Sequence, residues 1–176
     1  FPDPNPQPGD APPAMTPEPP LEHPIVVEHA GLRVTLEMAT ARLAVSGARE
    51  VSLPGLLLMR LRVRNLSADR PVDVTSWMHS DLNAWLGQLT DDQNRAYESI
   101  HDADSRVGVY LASLPGYRPR FSLAPGEETT TWVAFNTNAR PTGELRLSLS
   151  AVNYGQEGLL RFVLPPGSIA EGHSIR

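Results

Sequence analysis

The stretch Leu56–Asn65, LLLMRLRVRN, alternates strictly. Leu57, Met59, Leu61 and Val63 fall on one side of an extended chain, and Arg60, Arg62 and Arg64 on the other. Like side chains on a helix recur about every 3.6 residues, so a period of two excludes a helix here and describes a strand with one face buried. The pattern returns along the chain. Leu32, Val34, Leu36 and Met38 alternate with Arg33, Thr35 and Glu37, and Ala39–Val45 continues past a bend. Leu145, Leu147 and Leu149 alternate with Arg146, Ser148 and Ser150; Leu160, Phe162 and Leu164 alternate with Leu159, Arg161 and Val163. In 128–136 the two faces are Thr129, Thr131, Val133, Phe135 and Thr130, Trp132, Ala134, and either suits burial. Val72–Trp77, Trp85–Leu89 and Tyr97 are shorter candidates, while Val109–Leu114 fits a strand or one helical turn equally.

Turn chemistry separates these runs. NLSADRP at 65–71 reads as a hairpin connection, and TDDQNR at 90–95 as a polar turn. Pro125–Gly126 suits the two central positions of a type II turn, where Pro presets the first φ and Gly supplies a positive second one. Pro141–Gly143 and NYGQEG at 153–158 are further turns, and Pro165–Pro166 stop the last strand. No stretch of helical length carries a 3.6-residue apolar pattern. The expected fold is all-β: an immunoglobulin-like antiparallel β-sandwich of about seven to nine strands.

Ten of the 18 prolines lie in residues 1–24, FPDPNPQPGDAPPAMTPEPPLEHP. Repeated Pro blocks helices and ladders, so this segment is expected to be an extended, partly polyproline II arm. The sandwich then occupies 25–166 and a tail 167–176. Phe1 stands where a starting Met would be, so the chain reads as a processed or excised piece. The absence of Cys excludes a disulfide scaffold, a thiol nucleophile and Cys-ligated metal. A net charge of −5 speaks against nucleic acid as partner. No apolar run reaches the roughly 18–20 residues that span a bilayer. All 15 basic residues are Arg, as a GC-rich genome would give.

Four stretches resemble a known module: LRVRNLSADRPVDVTSW (61–77), LTDDQNRAY (89–97), LAPGEETTTWVAF (123–135) and ELRLSLSAVNYGQEGLLRFVLP (144–165). Their order is similar to that of the bacterial immunoglobulin-like module of DUF4352 type, related in fold to secreted MPT63-like mycobacterial antigens. The last stretch and the Trp77 segment look most like planctomycete proteins. Gln93 departs from the pattern, standing where the family often has Gly. The resemblance implies an extracytoplasmic setting, periplasmic or secreted, with tethering to a membrane through a Pro-rich linker. It implies no catalytic residues.

Chemistry-bearing residues are few. Asp91, Asp92, Asn94, Asp102 and Asp104 form an acidic stretch whose oxygens would suit calcium, although the spacing is not that of an EF-hand; a solvated turn is the favoured reading. No other cofactor is implied. His79, Asp81, His101 and Asp102 flank a hairpin and could converge. No nucleophile elbow or phosphate loop is present, so the chain is not expected to be an enzyme. Arg60, Arg62 and Arg64 would bind an anion if unneutralised, or pair with Glu37 or Glu144 across strands. Trp77, Trp85 and Trp132 are core fillers, unless Trp77 and Trp85 rim a binding surface. The expected function is a non-catalytic protein-interaction or structural module, a subunit of a larger, membrane-associated assembly. Its arm is either a spacer or a strap whose apolar tips, Phe1, Met15 and Leu21, bury against a protein partner. The competing class is a ligand-binding domain that uses the acidic stretch for a cation or the Arg stripe for an anion.

Overall fold

The computed structural model describes residues 21–44, 53–81, 84–103, 111, 114–137 and 141–171. Phe1, Met15 and Asp104 lie outside these residues, as does most of 109–114. Eleven strands are described: β1 (Ile25–His29), β2 (Leu32–Ala44), β3 (Leu53–Asn65), β4 (Val72–Thr75), β5 (Gln88–Asp91), β6 (Ala96–Ile100), β7 (Arg120–Leu123), β8 (Glu128–Asn136), β9 (Leu145–Ser150), β10 (Leu159–Leu164) and β11 (Ala170–Glu171). A 3₁₀ turn at Ala151–Tyr154 joins β9 to β10.

One path of hydrogen-bonded strands runs β1-β2-β3-β8-β6-β5-β9-β10, all antiparallel, and β4 pairs with β7 apart from it. β11 adds to β2 in parallel. The path doubles over at β6: Ala96 and Tyr97 pair with β5, while Glu98–Ile100 pair with β8. Two layers result, a sandwich that is barrel-like because its end strands approach each other. The alternating apolar residues of both layers meet in one core. Leu57, Met59, Leu61 and Val63 face Leu145, Leu147, Leu149, Leu160, Phe162 and Leu164 there. This is the expected all-β sandwich, with more strands than the seven to nine anticipated because short edge strands such as β11 carry little periodicity.

Two local expectations are corrected. First, Met38 does not share the face of Leu36. A bulge between them advances the phase by one residue, so Ala39 enters the main core and Met38 turns to the opposite face. There it joins Leu56, Leu58, Met78, Leu111, Leu114, Trp132 and Ala134 in a second apolar cluster. This also shows why both faces of β8 suited burial: both are buried. Second, NLSADRP does not close a hairpin. β4 leaves β3 and pairs with β7 instead. Asn65 redirects the chain. Its buried side chain donates to the carbonyls of Arg70 (2.7 Å) and Leu123 (3.0 Å) and accepts from Ser67 N–H (2.9 Å).

The Pro125–Gly126 turn has the expected form: Gly126 sits at φ 75° and Glu127 N–H donates to Ala124 C=O. Where β1 nears β10, His29 Nδ1 lies 2.8 Å from the Tyr154 hydroxyl. Burial pushes the Tyr154 phenol up to about 12. Gly158, at φ 103°, leaves room for that imidazole; a Cβ would come within 3.0 Å of His29 Nε2. Gly158→Ala is therefore expected to cost about 1–3 kcal/mol, from strain and the displaced ring together, read from urea unfolding. A change under about 0.5 kcal/mol would contradict this account.

Candidate interaction site

The three tryptophans divide. Trp77 is wholly buried and donates its indole N–H to Ser150 C=O at 2.8 Å. Trp132 is 5% exposed and donates to Pro115 C=O at 2.9 Å. Trp85 is 60% exposed. Its backbone is nevertheless tightly held. Trp85 N–H donates to Asn153 Oδ1 (2.9 Å), and Asn153 Nδ2 donates to Trp85 C=O (3.0 Å) and Thr75 C=O (3.1 Å). Asn153 is itself buried, in the 3₁₀ turn between β9 and β10. Ser150 caps that turn, accepting from Val152 N–H, and Gly155 closes it in the left-handed region at φ 75°. Two residues on, Gly87 N–H donates to Trp77 C=O. A rigid frame thus holds an indole out into solvent. Val152 and Leu159, each 45% exposed, lie on the same end of β9 and β10. Exposed aromatics with little backbone freedom lose little entropy on binding, which is why Trp dominates contact energies.

His79 and Asp102 do converge. His79 Nδ1 is 2.7 Å from Asp102 Oδ2, and the Tyr117 hydroxyl donates to the same oxygen at 2.8 Å. Asp102 N–H also donates to Met78 C=O. Burial pushes the Asp102 carboxyl up, but the donors from His79, Tyr117 and the Ser80 backbone outweigh it, so the group sits below the ordinary carboxylate value. Burial first, then the Asp102 carboxylate, raises the Tyr117 phenol. Asp81 pairs with Arg120 instead, and His101 Nδ1 is buried without a hydrogen-bond partner. These contacts tie the loop after β4 to the segments that follow β6 and precede β7. Because the folded carboxyl is depressed, its stabilisation is complete above the unfolded value of about 3.9 and is lost as pH falls through the lower folded one. Asp102→Ala is expected to cost about 1–3 kcal/mol at neutral pH and to flatten the stability loss on acidification, measured by urea midpoints across pH. An acid limb as steep as the parent's would exclude the role.

The acidic stretch is spread out. Asp91 accepts from the backbone N–H groups of Gln93 and Arg95, and its carboxylate pairs with the Arg95 side chain. Burial raises the Asp91 carboxyl, but those donors win and hold it low. Asp102 belongs to the His79 network. Asp92 and Asn94 stay in the β5–β6 turn, Asn94 at φ 60°. Among the described residues no three His, Asp or Glu side chains gather to hold a metal. The Arg stripe is interleaved with carboxylates. Arg60 and Arg62 both pair with Glu37, and Arg62 also reaches Glu128 at 3.4 Å. Arg64 is exposed beside Glu128 in the register. Leu21 packs against the domain's own core, and its N–H donates to Glu37 C=O. An open groove of about 660 Å³ runs there, between Leu21–Val26 and Val163–Ser168.

Asn153 and Tyr117 were not singled out from sequence. Asn153 sits in a Gly-bounded polar loop, where an amide signals a turn and nothing more. Its partners are 68 and 78 residues away, and no local pattern points to them.

No family model and no curated protein matches the chain. Among solved structures it is similar to ycdA of Bacillus subtilis, described as a lipoprotein, with a TM-score of 0.54 and 13% identity. That likeness covers 82% of this chain but only 39% of ycdA. The yjhA protein of the same organism aligns over 81% of this chain and 96% of its own, with a TM-score of 0.47 and 6% identity. The likeness to ycdA is one of fold alone. Among the described residues no helix is long and apolar enough to cross a membrane.

Proposed function

We propose that the chain is a non-catalytic protein-interaction module, working outside the cytoplasm as a subunit of a larger, membrane-associated assembly, with Trp85 as its anchor. One observation carries this reading. A buried asparagine commits its whole amide to the backbone around an indole that is itself exposed. Left in water, that indole forgoes the gain of burial; seated in a partner, it recovers it. Arg60 and Arg62 are engaged with Glu37 and Glu128, which weighs toward the interaction reading over an anion site. The DUF4352-type resemblance and the fold shared with a protein described as a lipoprotein are compatible with the setting.

The test is capture from an extract of the source organism with the full chain and its Trp85→Ser variant. Surface substitution should leave stability within about 0.5 kcal/mol. Specific partners should drop about tenfold or more, as for an aromatic hot spot worth about 2 kcal/mol. Equal retention by a folded variant would refute the assignment.

A further inference from the structure

We propose that the cavity between the β5–β6 turn and the turn before β9 binds a guanidinium group, the head of an arginine side chain on a protein partner. The cavity holds about 290 Å³, and its walls include Asp91, Asp92, Arg95, Tyr97, Thr137 and Gly143. Small-molecule sites hold roughly 300–1,000 Å³, so this one has room for a side-chain head rather than for a cofactor. It is independent of the Trp85 site: Trp85 precedes β5 and Asp92 follows it.

The chemistry follows from which polar groups are already spent. Arg95 gives its backbone N–H and its guanidinium to the Asp91 carboxylate. The Tyr97 hydroxyl donates to the same carboxylate at 3.4 Å. Burial first, then the Asp91 charge, raises that phenol, so it stays protonated and neutral. Thr137, 5% exposed, gives its hydroxyl hydrogen to Gly55 C=O at 2.9 Å, which leaves its oxygen an acceptor only. Asp92 differs. It is exposed, and among the described residues its carboxylate has neither a hydrogen bond nor an ion pair. Its place is nonetheless defined. The carboxylate lies against Gly143, where a Cβ would meet Oδ2 at 3.2 Å and both Cγ and Oδ1 at 3.4 Å. The donors of Arg95, Tyr97 and Thr137 are therefore spent, Asp91 and Arg95 cancel, and Asp92 leaves one uncompensated negative charge as an open acceptor.

An occupant must bring positive charge and N–H donors. A guanidinium brings both in one plane and meets a carboxylate through two parallel N–H···O bonds. Its flat face also suits an aromatic wall such as Tyr97. A metal ion is poorly served, because no three His, Asp or Glu side chains gather among the described residues. A single exposed ion pair is weak by itself, which suits one contact within a larger protein interface better than capture of a free metabolite.

NMR titration of the full chain with N-acetylarginine methylamide tests this, with the citrulline analogue as the uncharged isostere. The arginine probe should shift the amides of Asp92 and Gly143, saturate in about the millimolar range, and bind about tenfold or more tighter than citrulline. Asp92→Asn removes the charge and should weaken the arginine probe about tenfold or more. Gly143→Ala should do the same by pushing the carboxylate aside. Gly143 is not among the glycines at positive φ, so the methyl brings no backbone strain. Both variants should melt within about 2 °C of the parent. Equal shifts with arginine and citrulline overturn the proposal, as does arginine binding that survives Asp92→Asn. Butylguanidinium, which lacks the peptide groups, should bind no tighter than the arginine probe; a preference for it of about tenfold would overturn a protein side chain as the occupant. Trp85-dependent capture from extract is read separately and stands or falls without regard to these results.

Discussion

Trp77→Ala should lower the stability of the sandwich by about 3–5 kcal/mol, the largest effect expected of any single truncation here. The side chain is wholly buried and belongs to the main core, together with Val74, Leu89, Leu149 and Tyr154. Its removal leaves a cavity that these β-sheet side chains, fixed by their ladders, fill poorly. It also deletes the indole bond to Ser150 C=O. Domains of this size have about 5–15 kcal/mol to lose, so the variant is expected to sit near the edge of folding at 37 °C. Trp77→Phe separates the two contributions. It keeps most of the apolar volume and loses the hydrogen bond, so about 1–3 kcal/mol is expected. Urea unfolding at constant m gives both numbers. A loss under 1 kcal/mol for Trp77→Ala would mean that the core closes over the gap, and that Trp77 is no keystone of this end of the sandwich.

Why Trp77 is inside and Trp85 outside marks how far the sequence could be read. Period-two alternation located most of the long strands, because one buried face leaves a regular trace. Leu57, Met59, Leu61 and Val63 are buried as that trace requires. Alternation is blind to phase changes. A bulge costs one residue and leaves no composition behind, so Met38 appeared to share a face with Leu36. It is equally blind to pairing. NLSADRP has the residues of a hairpin turn, yet Asn65 spends its amide on Arg70 and Leu123, and the second of these is 58 residues distant. The candidate site fared in the same way. His79 and Asp102 fall on either side of a hairpin, so the sequence allowed them to meet without requiring it or singling out this pairing. Tyr117 was not legible at all, since its approach depends on the long connection before β7. For Trp85 the residue type alone is ambiguous: an indole is at home in a core and at an interface. Its exposure is decided by Asn153, which fixes where the backbone runs.

Asn153→Ala should therefore have two effects where Trp85→Ser has one. The three bonds it removes each contribute about 0.5–1.5 kcal/mol net, so a loss of about 2–4 kcal/mol is expected. The carbonyls of Thr75 and Trp85 lose their donor at a buried amide, which places the loss toward the upper end of that range. Trp85 remains in the chain, but the segment Ala84–Gly87 then keeps only its end contacts among the described residues, Ala84 N–H on Asp81 C=O and Gly87 N–H on Trp77 C=O. Amide hydrogen exchange at Trp85 should speed up by about tenfold or more, because its acceptor is gone. Whatever binds the indole must then pay the ordering entropy that the asparagine had removed, and partner binding should weaken although every contacting atom survives. The pair of variants thus separates presentation from contact. Trp85→Ser leaves stability and loses binding; Asn153→Ala loses stability, exchange protection and part of the binding together. Should Asn153→Ala unfold no earlier and exchange no faster than the parent, the frame is not what holds the indole out, and the physical basis for Trp85 as an anchor is gone.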